Sequence, residues 1–548
     1  MMTNRDYLTM FGFFAAALAV FLGAVHLGAL LTPTGVSYAW NPIVLALEFV
    51  KGAPWPPASL VLAIVFGVAA SALLWFVLTR TSPRQDVGRR KLRTNAAARR
   101  LQTKERSREL EALHPGVDIP AGQRLGRSMQ SPHDWILQGW RDLCVCIFGP
   151  GRGKTSSQVI RKMLEAPGAA VMTSNKIDGM PEILAGRSDQ PVYVFDPQNI
   201  TGELGAPHAF RFNPLSQLVT LADALELAGI FEASSRMPDQ RGDPQFDTMG
   251  RGLLAGLFLA AAYGKLPMST AYAWLTRSDV HDAMDLLREH GFNSVAESVQ
   301  GVMDQPDKTR GSVFATAQRM ALPLMDDSLT AWTVDSDPGV RVFDPSEFLR
   351  SKSTLLLASK EGAGSGRAFV AALVRAVCKA GEQQARVYGG RLPVPLVMEL
   401  DECANIVRWP ELPSLYSFYG SIGIILSSYF QSAAQGIEAF GREGWKTLWD
   451  AAGIRIYGGG SADKDWLGDI SGLIGDYDAQ TYSTSYGRGG GSRSTQTQRR
   501  ARLSVSDLAS LPEWQALVLP GKGEPVLMQT VPWWKDKALA ARIEGGKS

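Results

Sequence analysis

The stretch Cys144 to Gln158, CVCIFGPGRGKTSSQ, limits what this chain can fold into more than any other. An apolar run, Cys144-Val145-Cys146-Ile147-Phe148, leads into Gly149-Pro150-Gly151-Arg152-Gly153, then Lys154-Thr155-Ser156 and a segment able to be helical. That order predicts a strand, a phosphate-cradling loop and a helix. Glycines are needed because several backbone N–H groups must converge on one set of phosphate oxygens, and a Cβ would block the approach. Lys154 is expected to reach the β and γ phosphates, Thr155 to hold Mg2+, and the positive end of the helix to face the anion. The nucleotide-contacting set is therefore Gly149, Gly151, Arg152, Gly153, Lys154, Thr155 and Ser156. The loop is one residue shorter than the usual pattern, since three residues separate Gly149 from Gly153. On this motif alone an ordinary glycine turn remains the alternative.

A second stretch narrows the choice. Pro395-Leu396-Val397-Met398-Glu399-Leu400-Asp401-Glu402 is a mostly apolar strand ending in two acids. A parallel α/β sheet places its metal and water chemistry at the C-terminal ends of its strands. Asp401 is expected to serve Mg2+, in its inner or outer shell, and Glu402 to polarise the attacking water. Near Gln431-Ser432-Ala433-Ala434-Gln435 a polar amide, Gln431, stands just past another strand. It either senses a γ-phosphate and its water or caps the following helix. Thr173-Ser174-Asn175-Lys176-Ile177-Asp178, at a further strand end, either lines the nucleotide or caps a helix.

With 548 residues, 45% of them hydrophobic and 20% charged, the chain has material for two or three folded domains. Its four cysteines have neither disulfide nor metal spacing, and its six histidines are scattered, so a disulfide framework and an imidazole metal site are not expected. Net charge is +3, yet between Arg80 and Arg108 eleven Lys or Arg face two acids. Residues 9–31 and 58–78 carry no charged side chain, which predicts a two-span membrane anchor over 1–80. The basic linker at 81–120 would then set both ends in the cytoplasm. The expected location is the inner or cytoplasmic cell membrane, multi-pass, with the bulk of the chain in the cytoplasm.

Beyond the anchor, apolar strands alternating with helices predict a nucleotide-binding α/β domain in two parts, 121–216 and 336–548. Between them, 217–335 shows helical periodicity with no convincing strand and reads as an all-α insertion. Residues 479–502 are rich in Gly, Ser, Thr, Gln and Arg and lack an apolar period, so a mobile loop is expected, either solvated or touching nucleic acid.

The order of these features resembles that of the TraG/TraD-like coupling ATPases of type IV secretion and conjugation. The pieces that carry the resemblance are Gly149-Pro150-Gly151-Arg152-Gly153-Lys154-Thr155, Thr173-Ser174-Asn175-Lys176, Phe195-Asp196-Pro197-Gln198, Leu400-Asp401-Glu402-Cys403-Ala404-Asn405 and Gln431-Ser432-Ala433-Ala434-Gln435. Their phrasing suggests the branch from high-GC Gram-positive bacteria. The resemblance implies a RecA-like P-loop ATPase with an inserted all-α domain. It implies ATP and Mg2+ as ligands, and single-stranded DNA with its relaxase or relaxosome as cargo. Type IV secretion channel components, the membrane and a homo-hexamer are the other implied partners. Catalysis would rest on Lys154, Glu402 and Gln431. One departure stands out: Phe418-Tyr419-Gly420-Ser421-Ile422-Gly423 offers no arginine where relatives often carry a basic residue, leaving Arg408, Arg442 and Arg455 as alternatives. A nucleotide-gated docking receptor for protein cargo, with little turnover, is the rival reading.

Overall fold

The computed structural model describes residues 4–80, 92, 98–236, 242–334, 339–362, 365–487 and 490–546. The chain forms two units, Met1–Val87 and Gly88–Ser548. Most of the basic run between 81 and 97 lies outside the described residues.

In the first unit, helices Asn4–Leu31, Pro42–Val50 and Pro57–Arg80 follow one another. Asn41 starts the middle one by accepting from the amides of Ile43 and Val44, with Pro42 in the first turn, where its missing N–H costs nothing. Gly28 permits the close approach of the outer two, since a Cβ there would fall 2.1 Å from Ser59 Oγ. The expected membrane anchor is not borne out. Among the described residues no helix is long and apolar enough to cross a membrane. The multi-pass placement in the cell membrane, and the cytoplasmic orientation drawn from it, fall with the two spans.

The second unit is built on one mixed sheet. Its strands are β1 (Gln123–Ser128), β2 (Trp135–Gln138), β3 (Cys144–Ile147), β4 (Ala170–Ser174) and β5 (Val192–Phe195). After two short strands, β6 (Phe210–Arg211) and β7 (Arg341–Val342), come β8 (Thr354–Ala358), β9 (Leu396–Leu400), β10 (Ile424–Phe430) and β11 (Ile454–Tyr457). A ribbon, β12 (Asp476–Gly487) with β13 (Gly490–Ala501), precedes β14 (Gln515–Pro520) and β15 (Val526–Gln529). Across the sheet the order is β2-β1-β15-β14-β11-β3-β10-β9-β4-β8-β5. From β11 to β5 all pairings are parallel; from β11 to β2 they are antiparallel. The parallel strands are covered on both faces, which is why they read as unbroken apolar runs. In β3 the alternation sends Val145 and Ile147 into one core cluster and Cys144 and Cys146 into the other.

The all-α insertion leaves and rejoins the sheet through β6 and β7, which pair in parallel. Its helices include Leu221–Ser235, Pro244–Tyr263, Ser269–Arg277, His281–Glu289, Asn293–Met303 and Asp307–Met320. The last long helix ends at Met320; Pro323 cannot continue its hydrogen-bond ladder, and a 3-10 turn, Leu322–Met325, takes over. These helices share one core with a face of the sheet through the helix Arg367–Val387, where Phe231 lies 5.2 Å from Phe258 and 5.7 Å from Phe369. The stretch 479–502, expected as a loop, is most of the β12–β13 ribbon. Its strands pair only with each other, so the pairing leaves no apolar period in the sequence to detect.

Candidate nucleotide site

The site forms where β3, β9 and β10 end side by side. Parallel strands lie at adjacent carboxyl ends, so residues remote in sequence meet above them. From β3 the chain runs through Phe148 into the glycine loop. Phe148 N–H donates to Phe430 O at 3.0 Å and Gly149 N–H to Gly459 O at 2.9 Å, which fix the loop's entry. Gly151 and Gly153 take φ of 70° and 71°, the left-handed region glycine enters without strain. At Gly153 the packing is also tight, because a Cβ would sit 2.5 Å from the Trp514 ring. Lys154 follows, and then the chain makes a single π-helical turn, Thr155–Val159, before the α-helix Ile160–Glu165. Such a wide turn is a frequent feature of functional sites. Nothing in residue type or spacing announces it.

Lys154 bridges both acids that end β9: its Nζ is 2.6 Å from Asp401 Oδ1 and 2.7 Å from Glu402 Oε1. Thr155 Oγ1 donates to Asp401 Oδ2 at 3.1 Å. Thr173, at the end of β4, donates to the Asp401 carbonyl at 2.7 Å and so fixes the turn the acids sit on. Gln431, just past β10, donates from Nε2 to both Glu402 oxygens at 3.2 and 3.1 Å. Five residues singled out in the sequence, Lys154, Thr155, Asp401, Glu402 and Gln431, therefore form one hydrogen-bonded cluster. Glu402 adopts φ of 52°. A long side chain in the left-handed region is strained, and such strain collects where a group must be aimed.

The electrostatics follow from burial. Desolvation alone would lower the Lys154 pKa, but Asp401 and then Glu402 outweigh it and leave the ammonium above its usual range. Burial raises the Asp401 pKa, with Lys154 opposing. Beneath the acids, Glu399 of β9 is buried 3.8 Å from Lys162 of the loop's helix, and Lys162 also donates to Gln138 and Ser427 at 2.9 Å each. Desolvation pushes the Glu399 carboxyl up and Lys162 pulls it down. This polar layer ties the helix that carries the loop to the strand that carries the acids.

The remaining predicted residues are placed as follows. Ser156 Oγ donates to Gly153 O at 3.2 Å, closing the turn locally. Arg152 lines the cleft, but its guanidinium donates to Leu511 O. Asn175 and Lys176 line the cleft too, and Asn175 donates to Glu361. Sequence reasoning gave no role to Glu361, which also accepts from Asn405 Nδ2 at 2.8 Å, while Asn405 reaches Glu402 Oε2 at 3.4 Å. Of the alternative arginines, Arg408 pairs with Glu438 at 2.9 Å and Arg455 caps the carbonyls of Trp449 and Asp450. Neither lines the cleft.

The cleft has a volume of about 510 Å³ and runs from Gln431 and the acids, along the glycine loop, to Pro181, Trp533 and Trp534. Its donor set fits a magnesium triphosphate. Positive-φ glycines leave the cradle free of Cβ atoms, and the Thr155 hydroxyl and Asp401 carboxylate are the hard oxygen ligands Mg2+ takes. Among the described residues no cluster of three or more His, Cys, Asp or Glu could hold a metal by itself, so further ligands would be phosphate and water.

Comparison with known proteins agrees with this architecture. Residues 395–513 match the family model described as the TraM recognition site of TraD and TraG. No curated protein matches the chain. Among solved structures, the bacterial conjugative coupling protein TrwBdeltaN70 in its unbound monoclinic form is similar with a TM-score of 0.54 and 16% identity, covering 72% of this chain and 85% of that one. TrwB in complex with the GTP analogue GDPNP gives 0.53 at 15% identity, over 72% and 86%. TrwB in complex with ADP and Mg2+ gives 0.52 at 16%, over 72% and 86%. Likeness at that identity shows the fold, an α/β domain with an all-α part, and with the family model it bears out the resemblance to TraG/TraD-like coupling proteins.

Proposed function

We propose that this chain is a nucleoside triphosphatase that couples a DNA substrate, the relaxosome, to a type IV secretion or conjugation channel. The observation that carries the reading is the meeting of Lys154 and Thr155 with Asp401 and Glu402 at hydrogen-bond distance, across some 250 residues of sequence. The solved TrwB complexes, with a GTP analogue and with ADP and Mg2+, support the nucleotide part of it. The family description, TraM recognition, supports a relaxosome protein as the partner of the 395–513 segment.

In this reading the loop's backbone cradles the phosphates and Lys154 turns from the two acids to the β and γ oxygens. Thr155 and Asp401 would hold Mg2+, which when bound neutralises charge on those oxygens. Glu402, released by Lys154, takes a proton from the attacking water as general base. Gln431 and Asn405 aim its carboxylate, and Gln431 also donates toward the water's position. Single-stranded DNA would bind chiefly through its phosphates, with steep salt dependence and little sequence preference.

Steady-state ATP hydrolysis, with and without single-stranded DNA, tests the proposal. The wild-type chain is expected to be stimulated by DNA, and Glu402→Gln to lose hydrolysis by about a hundredfold or more while still binding nucleotide. Equal and negligible rates in both proteins, with nucleotide bound, would instead establish the docking receptor.

A further inference from the structure

The cleft brings the glycine loop, Lys154, the acids and Gln431 together with Ile177, Pro181, Trp533 and Trp534, beside which Asp178 and Glu182 also line it. The topology separates the acids from the indoles. The acids come from β9, on one side of β3, whereas the indoles follow β15 and precede β14, on the other side. Trp514 links loop and rim, since its ring packs where a Gly153 Cβ would be and meets Trp534 at 6.0 Å and 88°. Trp533 meets Trp534 at 5.6 Å and 84°. Both contacts are edge-on, so neither neighbour stacks on Trp534, which is 50% exposed although its residue type is usually well buried.

The rim is held in place. Arg161 Nη1 pairs with Asp536 at 2.7 Å, and Arg542 donates to the carbonyls of Gly186 and Leu164. These contacts clamp the segment from Trp533 to the end of the last helix, Lys537–Gly545, against the helix that follows the glycine loop and the helix Met180–Gly186. A half-exposed indole on a rigid frame, in a cleft whose glycine loop is shaped to cradle phosphate, suits a ligand with an anionic head and a flat aromatic tail.

Resting on the nucleotide reading above, we infer that Trp534 is the stacking wall for the base of the bound nucleoside triphosphate, with Ile177 and Pro181 as the opposing apolar surface. Stacking reads area rather than hydrogen-bond pattern, so the subsite favours purines over pyrimidines.

Calorimetric titration of the full chain with Mg-ATP and with magnesium tripolyphosphate, which lacks base and sugar, tests this. Trp534→Ala should weaken ATP about tenfold and leave tripolyphosphate within about twofold, while Trp534→Phe keeps most of the ATP affinity. Trp534→Ala binding ATP like the wild type, or losing both ligands equally, would overturn the assignment. So would a wild-type chain that binds ATP no better than tripolyphosphate, although the phosphate site would then stand. A wild-type chain that binds neither removes the nucleotide reading itself.

Discussion

At the residue scale, the site depends on backbone conformations that only some side chains tolerate. Gly153 combines φ of 71° with a Trp514 ring where its Cβ would be. Gly153→Ala therefore adds left-handed strain of roughly 1–2 kcal/mol to an overpacking cost of similar size. Nucleotide affinity should fall by about thirtyfold or more, measured by titration with Mg-ATP, and unchanged affinity would show that the loop does not need this shape. The five residues that cluster, Lys154, Thr155, Asp401, Glu402 and Gln431, were legible in the sequence as candidates because they sit at strand ends in patterns with a mechanism behind them. Arg152 was less so. Its guanidinium goes to Leu511 O, a partner supplied by the far end of the chain, and no local pattern reports that approach. Glu361 escaped for the same reason, since Asn175 and Asn405 reach it from distant parts of the chain.

At the element scale, long apolar runs and periods marked their helices and strands, and short or polar elements were harder to see. β1 carries Gln123, Arg124 and Arg127, and β2 is only four residues long, so neither strand of this antiparallel edge stands out in the sequence. The helix Thr103–Leu113 shows how such polar elements are tied down. His114, at its C-terminal cap, is within 3.0 Å of Pro393 O through Nδ1 and accepts from Arg391 Nε at 3.0 Å through Nε2. Burial, and then the Arg391 charge, lower the His114 pKa below 6.5. The folded state thus prefers neutral imidazole. Its contribution to stability is complete above the unfolded value near 6.5 and is lost as pH falls below it, because the unfolded chain takes up the proton first. His114→Gln keeps a donor and an acceptor without titrating. Between about pH 7.5 and about pH 5.5 the wild-type melting temperature should drop further than the variant's by ~1–2 °C, and parallel profiles would contradict the assignment.

At the scale of the whole molecule, the halves of the α/β domain close on one cleft while the all-α insertion shares a core with one face of their sheet. The sheet's antiparallel flank is completed by the last strands, β14 and β15, which return beside β1. Arg152 is the one arginine among the cleft's described lining residues, and its guanidinium is engaged. If the proposed hydrolysis uses an arginine at the transferring phosphate, which is worth orders of magnitude in rate, a second copy of the chain is the source the proposal points to. Turnover per chain should rise with protein concentration before it saturates, and a flat profile would show that each chain acts alone. Underlying all of this is the claim that Lys154, Thr155, Asp401 and Glu402 serve one magnesium triphosphate. Solving the structure with Mg2+ and a non-hydrolysable ATP analogue tests it most directly. The account predicts that Lys154 leaves the two acids for the phosphates while Thr155 and Asp401 face the metal; an analogue bound elsewhere, with Lys154 still clasped to Asp401 and Glu402, would contradict it.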